Sequence, residues 1–114
     1  ARVVACDIDP ASLDATAANA ALNGVPLELA GDFFQLDERF DVLFAADVLY
    51  DHANRAFLPA FLDRADTVWL ADSRVKNLQA EHYAQVASVM AGTLPDLNEF
   101  DEFRRVNIYR GQRG

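Results

Sequence analysis

The 114 residues carry 18 acidic side chains against 10 lysines and arginines, a net charge of −8, with 52% hydrophobic and 11% aromatic residues. That balance suits one folded domain rather than a disordered chain, and it opposes tight binding to a phosphate backbone, which needs clustered cations. One cysteine, Cys6, leaves no internal disulfide, and acids break the longest apolar runs well short of a membrane span. A cytoplasmic protein with no nucleic-acid and no membrane partner is the expectation.

In chain order, residues 2–6 (RVVAC) read as a buried strand. Asp9-Pro10 is a helix start, with Asp as N-cap and Pro at the first helical position. Asp9 therefore has a structural task, and Asp7 on the same reading has none. A helix over 11–22 follows, with Leu13, Ala17 and Ala20 along one face, and Asn23-Gly24 stops it. Residues 27–30 make a short second strand, Gly31-Asp32 a turn, and the apolar stretch Phe40–Tyr50 holds a third strand. The spacing predicts a helix over 53–64, kinked or split by Pro59, a strand over 67–72, and a helix over 78–91 with Tyr83, Val86 and Met90 on one stripe. Val106 and Ile108 alternate as in a last strand, and a further strand is expected near Leu94.

Strands alternating with helices imply an α/β fold, a Rossmann-like, doubly wound, mostly parallel sheet with helices on both faces. Ligands of such sheets sit beyond the carboxyl ends of the strands. Asp7, Asp32 and Asp47 each fall at or just past such an end, so the three acids are expected along one rim. A carboxylate after an early strand can accept hydrogen bonds from both hydroxyls of a ribose, or it can simply finish the strand. Ile8 would then lie against an adenine or against the core. Asp32 with the Phe33 amide could read the edge of an adenine, although Gly-Asp is also an ordinary turn. Asp47, interrupting an apolar strand, must be hydrogen-bonded or face a cavity.

The segments "VVACDIDPASLDATAANAALNGV" and "FDVLFAADVLYD" resemble the seven-strand class I S-adenosylmethionine-dependent methyltransferases. Within them they are similar to the protein-lysine methyltransferases marked by Asp-x-x-Tyr after the fourth family strand, here Asp47 to Tyr50. The resemblance covers most of residues 2–73, and "VNIYRG" is similar to the family's last strand. It implies S-adenosyl-L-methionine as cofactor, Asp7 on its ribose, Ile8, Asp32 and Phe33 at its adenine, and Asp47 beside its methionine part and the incoming amine. Tyr50 would shape the substrate mouth, with Asp72 and Arg74, in "LADSR", at the border of the cleft. The implied reaction is N-methylation of a protein lysine or small amine by in-line attack, with Asp47 and Tyr50 catalytic and no metal.

The chain lacks the family's glycine-rich loop and the first strand before it, which is the central strand of the sheet. Residues 1–114 are therefore expected to be the C-terminal portion of a methyltransferase domain, short of at least one strand-helix unit of roughly 25 to 30 residues. Either the two strands flanking the gap pair directly, or a missing N-terminal segment or a second chain fills it. The isolated chain is expected to bind cofactor weakly and to be inactive. Two other readings stand beside this one: a non-catalytic Rossmann-like interaction module, and a fragment of an NAD(P)-binding dehydrogenase, which shares the ribose-binding acid but gives Asp47 and Tyr50 no role.

Overall fold

Asp9 starts the first helix as its neighbours predict. In the computed structural model, which describes residues 2–49, 51–75, 78–90 and 105–113, its backbone is extended, its carboxylate accepts the Ala11 N–H at 3.0 Å, and Pro10 takes the first helical position. Helix α1 spans Pro10–Leu22 and ends at Asn23-Gly24. Gly24 adopts a left-handed φ of 65°, and the Gly24 and Val25 amides return to the carbonyls of Ala21 and Ala20. The helix lies against a parallel ladder of β1 (Val4–Cys6) and β2 (Glu28–Ala30), with Cys6 opposite Ala30.

The inner stripe of α1 differs from the expected one. Ser12, Leu13, Thr16 and Ala20 are half-buried, whereas Ala17 is exposed. Thr16 tolerates that position because its hydroxyl donates to the Ser12 carbonyl at 2.8 Å, so no polar group is left unpaired. Arg2 ties the strands together, pairing with Glu28 on β2 at 2.5 Å and with Glu38, whose carboxyl it holds below the usual carboxylate range.

Residues 1–38 form one compact unit and residues 39–114 another. The second contains β3 (Phe40–Ala46), a 3-10 turn over His52–Ala56, α2 (Phe57–Arg64), β4 (Ala65–Asp72), β5 (Tyr83–Met90) and β6 (Arg105–Gly111). Its sheet order is β3-β4-β6-β5, with β3 and β4 parallel and β6 antiparallel to both neighbours. The sheet is thus mixed, parallel where β3 meets β4 and antiparallel from β6 onward. Segment 53–64 divides between Ala56 and Phe57 rather than at Pro59, which falls in the first turn of α2, where its missing N–H costs no intrahelical bond and leaves the helix unbroken.

The predicted helix over 78–91 is not formed; Tyr83–Met90 is strand β5. Tyr83, Val86 and Met90 imitate a helical stripe because a bulge at Val86 breaks the period of two: Gln85 faces Tyr109, Ala87 faces Ile108, and Val86 is the extra residue. The strand expected near Leu94 lies outside the described residues.

Alternation along β4 sends Val68, Leu70 and Asp72 to one face, all fully buried. Leu70 packs with Leu58 of α2, Leu49 and Tyr109. The Tyr83 hydroxyl donates to the Leu58 carbonyl at 2.6 Å and so joins β5 to the helix. Gly111 is required beside it, since a Cβ there would meet the Tyr83 ring at 2.5 Å. Gly111→Ala should lower unfolding free energy by about 1–3 kcal/mol, measured by urea denaturation, because the ring must move and give up its bond to Leu58.

Among the described residues β1 pairs only with β2, and β3 only with β4. Val42 and Phe44 on the second face of β3 are exposed, Phe44 to 80%.

Candidate functional site

The rim of the first unit assembles from backbone pairing. The β1–β2 register puts Asp7 one step past Cys6, and its amide extends the ladder to the Ala30 carbonyl at 3.1 Å. Asp32 follows Gly31 at the same end of the neighbouring strand, where its carboxylate accepts the Phe34 N–H at 2.9 Å and opens a 3-10 turn over Phe33–Gln35. Burial pushes the Cys6 thiol pKa up, and the charges of Asp32 and then Asp7 push it further. Asp32→Asn should therefore lower that pKa and speed alkylation of Cys6 by iodoacetamide near pH 8, an effect absent if the acid does not reach the thiol.

Asp7 has a local task that its sequence position does not reveal. Its Oδ1 accepts the Asp9 N–H at 2.9 Å and shapes the turn into α1. Oδ2 takes no hydrogen bond among the described residues, and the side chain is exposed. An acceptor fixed through one oxygen and open at the other suits a pair of sugar hydroxyls. Ile8, beside it, is 84% exposed, and Phe33 is half-buried with its ring edge-on to Phe34. In the first unit Asp7 and Ile8 follow β1, and Asp32 and Phe33 follow β2, at the same end of the parallel pair.

The second unit builds a different cluster where β3 and β4 end. Ala46 and Ala71 are opposite each other, so both strands reach an aspartate in register. The two acids then part. Asp72 stays in the strand, fully buried, and its Oδ2 accepts the amides of Arg74 at 3.1 Å and Val75 at 2.6 Å. Asp47 leaves the strand with φ 50°, a left-handed conformation that aspartate tolerates better than most residues. Its amide still donates to the Ala71 carbonyl at 2.8 Å, while its Oδ1 accepts both the amide and the hydroxyl of Ser73 at 2.9 Å.

Ser73 is the residue that sequence reasoning missed. The available signal was the shared ending of "FAAD" and "WLAD", which implies that the residue after one aspartate can reach the other. Asn54 also acts on this segment, donating from Nδ2 to the Val48 carbonyl at 2.9 Å. Arg74 is exposed, and its backbone serves Asp72. Asp72 itself, expected at the cleft border, is an internal anchor of the turn after β4. Tyr50 lies outside the described residues, and among those described no cluster of three metal-ligating side chains occurs. No described helix is long and apolar enough to cross a membrane.

The comparisons with known proteins bear on this geometry. No family model and no curated protein matches the chain. Among solved structures, the chain resembles one described as an rRNA methylase from Streptococcus thermophilus, with a TM-score of 0.61 and 13% identity over 99% of this chain and 74% of that one. The chain therefore shares the α/β fold of that structure.

Proposed function

We propose that the chain is the C-terminal portion of an S-adenosylmethionine-dependent methyltransferase domain that methylates a protein lysine or a small amine. The observation that supports this reading is the position of Asp7 and Asp32 just past the carboxyl ends of two paired parallel strands, in a chain whose fold resembles that of a methylase. The residues fit the cofactor: Asp7 through its open oxygen would hold the ribose, Asp32 the adenine amine, and Ile8 and Phe33 would supply apolar contact. S-adenosyl-L-methionine, when bound, supplies an electrophilic methyl group on a sulfonium.

Asp47 and Tyr50 are the residues we assign to the acceptor. A lysine amine has an ordinary pKa near 10.4, so the site must favour its neutral form and keep the lone pair directed. Asp47, fixed through Oδ1 by Ser73, can accept an amine N–H on Oδ2 and orient it. The Tyr50 ring would hold the cation that forms. That β1 and β3 each have one neighbour among the described residues supports a further strand, from an N-terminal segment or a second chain, that completes these edges.

A second reading is favoured by the structural neighbour, whose description names rRNA as the molecule methylated. An RNA acceptor would need cations that a chain of net charge −8 does not supply by itself. Incubating the protein that carries the whole domain with methyl-labelled cofactor and, separately, lysine peptides, small amines and RNA decides between them. Label in the amines supports the first reading, label in RNA alone replaces it with the second, and label in none removes both.

A further inference from the structure

We infer that Asp72 is a positioning residue for methyl transfer, which holds the Asp47 carboxylate in place through the turn at 73–75. The inference rests on the assignment of Asp47 to the acceptor. Three consecutive amides follow β4, and the side chains of the two aspartates at the ends of β3 and β4 accept all of them. Asp47 Oδ1 takes the Ser73 amide, and Asp72 Oδ2 takes those of Arg74 and Val75. The Ser73 hydroxyl adds a second bond to the same Asp47 oxygen. Ser73 thus stands between the two acids, and the conformation of the turn decides where its donors point.

Both sides of this clamp are fixed in the core. Leu49, two residues past Asp47, belongs to the buried cluster with Leu58, Leu70 and Tyr109, and Val48 and Val75 pack against that cluster. Asp72 is wholly buried, so it acts through the turn rather than on a substrate. Two features of the clamp cost stability. Asp47 holds a left-handed φ of 50°, and Asp72 Oδ1 is buried without a hydrogen-bond partner among the described residues. Departures of both kinds concentrate where a structure sets the geometry of a site. The clamp occupies one oxygen of Asp47 and thereby directs the other, so a shift of the turn would reach the acceptor amine as a misplaced carboxylate.

Transfer kinetics and amide hydrogen exchange, on the protein that carries the whole domain, test the inference. Asp72→Ala should speed exchange of the Ser73 amide and lower kcat about tenfold or more, with the acceptor KM and the affinity for S-adenosylhomocysteine unchanged. Asp72→Asn, which keeps an acceptor for the two amides, should recover most of the rate. In an Asp47→Asn background Asp72→Ala should cost little more, because the charge it positions is gone. Ser73→Ala serves as the second variant should Asp72→Ala fail to fold, with the same loss of rate and the same dependence on Asp47. While Asp47→Asn still impairs transfer, the inference is overturned by a wild-type rate in either folded alanine variant, by an equal loss in both backgrounds, or by no recovery in Asp72→Asn. A wild-type rate in Asp47→Asn instead removes the assignment beneath it, and the inference with it.

Discussion

Asp47→Asn is expected to reduce methyl transfer by about 100-fold or more in the protein that carries the whole domain, with little change in folding. Asparagine tolerates the left-handed φ of 50° and its side-chain oxygen can still accept from the Ser73 amide and hydroxyl, so the local backbone is preserved. What is removed is the charge on the second oxygen, which in our reading orients an amine and favours the cation as it forms. The loss should therefore appear in kcat more than in KM for the acceptor. Single-turnover assays with labelled cofactor measure it, and a variant of wild-type rate would remove Asp47 from the chemistry.

The largest effect on stability should come from Asp72→Ala, with a loss of about 3 kcal/mol. The side chain is wholly buried, and it accounts for the amides of both Arg74 and Val75. Alanine leaves these donors unpaired at the point where the chain turns away from β4. Asp72→Asn, which keeps an acceptor oxygen, should recover much of the loss. Urea denaturation of the two variants gives the comparison. Equal stability of Asp72→Ala and the wild type would show that the turn after β4 does not depend on this carboxylate.

Local signals proved the most legible. Asp9-Pro10 and Asn23-Gly24 bound α1 as their cap chemistry requires, and α2 runs through Pro59 unbroken because the proline lies in its first turn. The positions of Asp7, Asp32 and Asp47 at strand ends were also readable, because each follows an apolar run that a polar residue must end. What could not be read was set by pairing between distant strands. β5 looked helical because its bulge disrupts the alternation, and nothing within residues 83–90 announces the pairing with β6. The division of labour between Asp47 and Asp72 is likewise tertiary: both follow alanine at a strand end, and only the register of β3 with β4 makes Ser73 the partner of one while burial makes the other a structural anchor.

Calorimetric titration with S-adenosylhomocysteine, on the protein that carries the whole domain, tests the central claim most directly. The account predicts one saturable site, weakened at least tenfold by Asp7→Ala, since a ribose would lose an acceptor worth about 1.5–3 kcal/mol. Absence of binding, or binding that Asp7→Ala leaves unchanged, would contradict it.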